Sequence, residues 1–177
     1  MKIQIFTLLI FISVLSFAQK PIEYNINLNI EKKARKTIEE QTINWINTQG
    51  AKITKSTEDT LWATASINFN NTAVFKESKT YNRVYREQTK GIITYTIKVY
   101  FENNIAQARL MQFKHKPSDS FDNINFGLIT NSSSAPKQTQ ELTSQEYSKE
   151  VWDLLKKTID EYTKVIEPEI KDVAIKI

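Results

Sequence analysis

The sequence predicts an α+β protein in which an antiparallel sheet of about five strands packs on one N-terminal helix and a long C-terminal helix. Three stretches alternate apolar and polar residues with a period of two, as half-buried strands do: 22–30, 61–69 and 92–101. Two other stretches, 34–46 and 147–162, place apolar residues at the spacing of an amphipathic helix. The predicted order, β-α-β-β-β-β-α, is typical of a sheet covered on one face by helices.

The composition excludes several kinds of functional site. The chain has 177 residues, a formal net charge of +4, one His, three Gly and no Cys. A disulfide framework, a thiol nucleophile and a Cys-ligated zinc site all need Cys, and a multi-histidine metal site needs more than one His. Three scattered Gly cannot build a phosphate-binding loop. We therefore expect no metal ion and no cofactor.

Residues 1–18 have the features of a secretory signal peptide. Lys2 supplies the positive start, residues 3–17 form a nearly unbroken apolar run, and small residues define a cleavage site between Ala18 and Gln19. The alternative is an uncleaved anchor, but the run of 15 residues is shorter than the roughly 18 that a spanning helix needs. Removal of 18 residues with one Lys leaves 159 residues and a net charge of +3. We expect an exported protein, periplasmic or at the cell surface or extracellular, that meets a membrane only through this segment and binds no nucleic acid.

The N-terminal half is predicted to contain a strand, a helix and further strands. The helix that starts near residue 34 ends at Gly50, because glycine readily adopts the left-handed conformation that follows a helix. A short strand at 51–55 and a turn precede the clear strand at 61–69. Weaker strand patterns occur at 72–75 and 81–86.

The strongest strand pattern is a hairpin. It predicts one buried face, made of Ile93, Tyr95, Ile97, Val99 and Phe101. Residues 102–104 form the turn, since Asn tolerates positive φ, and residues 105–115 return as the partner strand. Tyr95 therefore belongs to the core, whereas Trp62 and Tyr100 have the opposite parity and are expected outside.

The C-terminal part is predicted to be a loop, a helix and a tail. Residues 117–142 are rich in Ser and Asn, and a small apolar island within them is expected to dock on the body of the domain. The final helix, 143–167, starts with a capping box formed by Thr143 and Glu146. A proline opens the tail at 168–177.

One segment carries a family resemblance. Residues 81–116 read YNRVYREQTKGIITYTIKVYFENNIAQARLMQFKHK, and they resemble bacterial exported domains of unknown function with a TBP-like fold. The shared features are an opening strand and helix and a long hairpin of this kind, although Asn103 and Asn104 stand where the family's turn usually carries Gly. The resemblance covers about residues 22–116. It implies a TBP-like α+β domain at 19–116 but no DNA binding and no catalytic residue.

The candidate residues for chemistry are few. His115 is the one side chain suited to acid–base work near neutral pH, and no acid or nucleophile is placed beside it. We interpret it as a solvated residue at a sheet edge. Asp119 and Asp122 lack the spacing of an EF-hand calcium loop. The sequence predicts no catalytic residue, and it leaves the binding residues unknown.

The charges are unevenly distributed along the chain. Residues 72–116 carry nine basic and three acidic side chains, whereas residues 141–172 carry five basic and nine acidic ones. One hypothesis is a basic sheet surface that binds an anionic partner. The alternative is a solvated strand face complemented by the acidic helix of the same molecule. The aromatic residues leave a similar choice between a binding patch and cross-strand packing.

These patterns favour an exported, non-enzymatic binding or assembly module of the cell envelope of a Gram-negative bacterium, with an envelope protein or a glycan as partner. The second hypothesis is a carrier of a small apolar ligand or lipid. Its pocket would lie between the sheet and the C-terminal helix, under the loop at 118–142. An enzyme of unrecognised type is a third hypothesis.

Overall fold

The structure is a computed structural model that describes residues 19–28, 35–72, 83–102, 105–118 and 123–173. The predicted signal peptide and the last four residues of the predicted tail lie outside these ranges, as do Asn103 and Asn104 of the hairpin turn and Asp119 and Asp122. In chain order the elements are β1 (Tyr24–Leu28), α1 (Arg35–Thr48), β2 (Lys52–Ser56), β3 (Thr60–Phe69), α2 (Arg83–Gln88), β4 (Gly91–Glu102), β5 (Ile105–Pro117), β6 (Gly127–Leu128), α3 (Lys137–Leu142) and α4 (Gln145–Val173).

The described strands form one antiparallel sheet. Its order is β1-β5-β4-β3-β2, and the short β6 pairs with the last part of β5. An isolated antiparallel bridge also joins Pro21, which precedes β1, to Thr130, which follows β6. The predicted α+β class is confirmed, and β6 brings the sheet to six strands.

Helices α1 and α4 cover one face of the sheet, which we call the helix-covered face. Tyr95 of β4 is only 1 % exposed there, and its ring packs against Tyr162 of α4. Trp45 and Ile46 of α1 belong to the same apolar core. Alternate residues of the same strands form the opposite face, which we call the open face. Burial of one face alone accounts for the period of two in the sequence.

Helix α1 ends as its sequence predicts. Gly50 has a φ of 65°, in the left-handed region. Its N–H donates to the carbonyl of Asn47 at 3.0 Å, and the N–H of Ala51 donates to the carbonyl of Ile46 at 3.2 Å. These two bonds satisfy carbonyl groups that the end of a helix otherwise leaves free.

A β-bulge in β5 reverses which of its residues face the helices. Thr96 pairs with Met111, whereas Thr94 pairs with Lys114, so β5 holds one extra residue between these pairs. Gln112 in this bulge has a φ of 57°. Because side chains alternate along a strand, one extra residue moves every later side chain to the other face. The bulge therefore turns His115 toward the core.

Helix α4 differs at both ends from the predicted range of 143–167. The Oγ of Ser144, not that of Thr143, accepts from the N–H of Tyr147 at 3.1 Å, so the cap lies one residue later. The helix then continues through Pro168 to Val173. Proline removes one backbone hydrogen bond, but Ile166 and Ile170 on either side of it are each only 1 % exposed. Burial of these two side chains favours continuation of the helix.

Two further predictions are wrong in the details of secondary structure. Residues 83–86, from the weak strand pattern at 81–86, belong to helix α2. Residues 117–142 are not one loop, since they contain the end of β5, the strand β6 and the helix α3. The apolar island does dock, because Ile124, Phe126 and Ile129 are buried in the core.

Candidate functional site

The open face carries one row of polar and aromatic side chains across five strands. Lys55 of β2 pairs with Trp62 of β3, and Trp62 pairs with Lys98 of β4. Lys98 pairs with Arg109 of β5, and Arg109 pairs with Asn25 of β1. We call these five residues the cation–aromatic row. Directly paired residues on one sheet face are close enough for their side chains to interact, so the row is continuous.

Lys98 stands between two aromatic rings. Its Nζ lies 4.1 Å from the ring centroid of Trp62 and 4.1 Å from that of Tyr100. An ammonium group over an aromatic ring is attracted to the negative face of the ring, by roughly 0.5–1 kcal/mol at an exposed site. The two contacts hold the charge of Lys98 above the sheet.

Arg109 is held by the side-chain amide of Asn25 in β1. Its Nε donates to the Oδ1 of Asn25 at 2.8 Å, and its guanidinium carbon lies 5.8 Å from the ring centroid of Tyr100. Beside it, the Nε2 of Gln107 donates to the Oδ1 of Asn27 at 3.0 Å. The bond through Nε fixes the guanidinium plane, so the two terminal nitrogens remain as donors for a ligand.

The open face has a strong excess of positive charge. By the register, one carboxylate among the strand residues, Glu102, shares this face with six cations: Lys52, Lys55, Lys98, Arg109, Lys114 and Lys116. Within the described ranges, no carboxylate lies within 4.0 Å of Lys98 or Arg109. The positive charge of this face is therefore available to an anionic partner.

The acidic helix α4 does not complement this charge. The helix packs on the helix-covered face, where the hydroxyl groups of Tyr95 and Tyr162 lie 2.6 Å apart. Several of its acids pair within the helix instead, as in the 2.6 Å contact from Lys164 to Asp160 and the 2.6 Å contact from Lys149 to Asp153. Complementation of the basic face by α4, one alternative from the sequence, is therefore wrong.

A cavity of about 580 Å³ opens at the hairpin end of the open face. We call it the hairpin cavity, and it is lined by Tyr100, Glu102, Ile105, Gln107 and Arg109. Its lining combines an aromatic ring, a carboxylate, an aliphatic side chain, an amide and a guanidinium. Ile105 is 64 % exposed, so an apolar surface is presented to solvent beside the charged groups. Such a mixture of an apolar surface and a few convergent polar groups is typical of small-ligand sites.

A second cavity, of about 540 Å³, lies where the N-terminal segment meets Asn131. Lys20 is bound to Asn131 in both directions: its N–H donates to Oδ1 at 3.2 Å, and its carbonyl accepts from the N–H of Asn131 at 3.0 Å. These bonds fasten the segment that follows the predicted cleavage site. Gln19 itself is exposed.

Aromatic side chains lie between the sheet and α4, in the region where the carrier hypothesis places a pocket. The rings of Tyr95 and Phe113 are stacked with centroids 5.3 Å apart, and Tyr24 meets Phe113 edge-on at 6.0 Å. Burial is the main cause that raises the pKa of Tyr95 above its usual value, because the tyrosinate form loses its solvation there.

His115 is buried, not solvated as the sequence suggested. It is 1 % exposed, and its ring lies edge-on to Phe69 and Phe126. The N–H of Phe126 can only donate, so the Nδ1 that it contacts at 3.3 Å must accept, and the proton sits on Nε2. Nε2 then donates to the carbonyl of Thr89 at 3.2 Å. Burial lowers the pKa of His115 to about 4, so the ring is neutral near pH 7.

The described residues hold no group of three or more His, Cys, Asp or Glu side chains arranged to bind a metal ion. In the same ranges, no helix is long and apolar enough to cross a membrane.

Comparison with solved structures shows which known fold this chain has. No protein-family model matches the sequence, and no curated protein does. A TBP-like protein from Parabacteroides distasonis superposes with a TM-score of 0.55 over 87 % of this chain and 92 % of that chain, at 11 % sequence identity. The chain has a TBP-like fold. A DUF4468 family protein from Bacteroides ovatus gives a TM-score of 0.49 over 82 % of this chain and 84 % of that chain, at 12 % identity.

The predicted resemblance to bacterial domains of unknown function with a TBP-like fold is confirmed at the level of the fold. Among the described residues, no helix covers the second face of the sheet. Lys98 and Arg109, which the sequence analysis did not single out, lie on this face. The predicted hairpin turn was sufficient to predict that Lys98 and Arg109 pair with each other. Counting four residues back from Glu102 and four forward from Ile105 pairs these two cations across the hairpin.

Proposed function

We propose that this protein is an exported, non-enzymatic binding module of the bacterial cell envelope whose open face binds an acidic partner. One observation carries the proposal: Lys98 and Arg109 are adjacent, held by aromatic rings and an amide, and free of carboxylate partners in the described part of the chain. Cations that serve only solubility need no such positioning, since exposed lysines remain solvated on flexible stems.

The proposal of export depends on the features of residues 1–18. The experiment is intact-mass analysis of the protein recovered from the envelope and medium fractions of a producing cell. The expected product is the chain that begins at Gln19. Recovery of the uncleaved chain in the cytoplasm alone would contradict export.

The binding proposal is tested with two acidic polymers, polygalacturonate and polyglutamate, immobilised on a biosensor surface. The purified protein is expected to bind at least one of them, with an affinity that falls as salt rises, because salt screens exposed charges. Lys98→Gln should weaken binding about fivefold, which corresponds to about 1 kcal/mol for one exposed charge contact.

The matched control is Lys36→Gln in the first turn of α1. Lys36 is exposed, carries the same charge and lies away from the open face. This variant should bind like the unmodified protein. Equal losses in the two variants would mean that net charge alone drives the binding, and no binding to either polymer would remove the proposal.

The carrier hypothesis has less support, because stacked rings occupy the region between the sheet and α4. Native mass spectrometry of the purified protein tests it directly. A co-purified lipid would favour the carrier over the open-face module.

A further inference from the structure

The hairpin cavity extends from the cation–aromatic row toward the hairpin turn, and Arg109 belongs to both. Lys98 and Arg109 form one cross-strand pair, Tyr100 and Gln107 form the next, and Glu102 and Ile105 form the last before the turn. Lys98 and Arg109 both lie over the ring of Tyr100, at 4.1 Å and 5.8 Å from its centroid. Tyr100 also lines the cavity, together with Glu102 and Ile105.

The donors and acceptors of this cavity match a hydroxyl-rich acid better than other anions. Arg109 offers terminal N–H groups in the fork that suits a carboxylate. Glu102 offers only acceptor oxygens when ionised, so it favours a ligand that brings O–H donors close to its own acidic group. The carboxylate side chains of an acidic peptide bring no hydroxyl donor beside their charge, and the phosphodiester chain of DNA brings none along its length.

Tyr100 and Ile105 add a surface for an apolar ring face. Aromatic side chains are large and rigid, and they bind flat apolar surfaces at a low cost in conformational entropy. A sugar ring has such a surface on its C–H side and hydroxyl groups at its rim. The volume of about 580 Å³ lies within the roughly 300–1,000 Å³ of small-ligand pockets.

The position of Arg109 is set before any ligand arrives. Its Nε is already bound to Asn25 at 2.8 Å, and Asn27 holds Gln107 at 3.0 Å in the neighbouring row. Groups that are fixed in advance lose less entropy on binding, which raises affinity for a ligand of the right shape.

We infer that the hairpin cavity binds a carboxylate-bearing sugar unit of an acidic glycan, with Arg109 on the carboxylate, Tyr100 under the ring, and Glu102 and Gln107 on the hydroxyl groups. This inference rests on the proposed function, because it names the acidic partner of the same face. Under this inference, neither an acidic peptide nor a nucleic acid is the preferred partner of the cavity.

The test is titration calorimetry of the purified protein with four soluble probes: tetragalacturonate, its carboxyl-reduced neutral form, tetraglutamate and a short single-stranded DNA. We expect tetragalacturonate to bind at least tenfold more tightly than each of the others. Arg109→Lys keeps the charge and loses the fork, so it should weaken tetragalacturonate binding several-fold. Tyr100→Leu should weaken tetragalacturonate binding about fivefold and tetraglutamate binding clearly less, because tetraglutamate loses only the contacts that position Lys98 and Arg109.

The outcomes separate the inference from the proposed function. If tetraglutamate or DNA binds as tightly as the uronate, or if Tyr100→Leu affects every probe equally, the inference is wrong while the acidic-partner proposal stands. If no anionic probe binds, both fail. Thermal unfolding of both variants shows whether each is folded, and Lys36→Gln again serves as the charge control away from the cavity.

Discussion

The backbone N–H of Phe126 donates a hydrogen bond to the Nδ1 of His115 at 3.3 Å, and this bond joins the segment before β6 to the end of β5. The imidazole is thereby held neutral in the core. The folded protein resists protonation of His115, since burial lowers its pKa to about 4 from the ordinary value of 6.5.

This burial predicts a loss of stability on acidification. Above pH 6.5 the ring is neutral in both the folded and unfolded states, so it adds no pH dependence. Between pH 6.5 and pH 4 the unfolded chain takes up the proton first, and the free energy of unfolding falls by roughly 3 kcal/mol before it levels off. Urea unfolding at pH 7, 5 and 4 measures this fall in the free energy of unfolding. The control is His115→Gln, whose free energy of unfolding should lack this part of the pH dependence. The same pH dependence in the two proteins would contradict the prediction.

Thr89 is predicted to be a sensitive buried position. Its hydroxyl contacts the hydroxyl of Tyr147 at 2.7 Å, accepts from the Nδ2 of Asn71 at 2.6 Å and donates to the carbonyl of Tyr85 at 2.8 Å. Thr89→Val removes these bonds at a fully buried site, and we expect a loss of about 2 kcal/mol in the free energy of unfolding. The same change at the exposed Thr64 should cost less than about 0.5 kcal/mol. Equal unfolding midpoints for the two variants would contradict this.

The hydroxyl pair of Tyr95 and Tyr162, 2.6 Å apart, links the sheet to α4. Tyr95→Phe and Tyr162→Phe should each lower the free energy of unfolding by about 1 kcal/mol. The double variant should lose little more than either single variant, because both changes remove the same bond. Chemical denaturation of the unmodified protein and the three variants completes this double-mutant cycle. Strictly additive losses would show that the bond does not couple the two elements.

Substitutions of Gly50 test why helix α1 ends at this position. A Cβ at this position would meet no atom within 4 Å, so the cost of Gly50→Ala comes from the backbone φ of 65° alone. We expect Gly50→Ala to cost about 1 kcal/mol and Gly50→Asn to cost clearly less, since Asn visits the left-handed region more readily. Thermal unfolding compares them. An Asn variant as unstable as the Ala variant would argue against the backbone explanation.

The sequence by itself determined the class of the fold and most of its elements. The period of two placed Tyr95 in the core and left Trp62 and Tyr100 on the other face, because alternation depends only on strand geometry. The stop at Gly50 was equally local, since it follows from the backbone preference of one residue. Local rules of this kind act over a few neighbouring positions, which is why they can be read along the chain.

The tertiary structure alone decided the rest. The bulge at Gln112 turned His115 inward, and α4 ran through Pro168 because Ile166 and Ile170 are buried. The candidate site arose in the same way, since Arg109 meets Asn25 only when β5 pairs with a strand 84 positions away. Pairing and burial depend on contacts between distant segments, so their energies appear only once the sheet and the helices have come together.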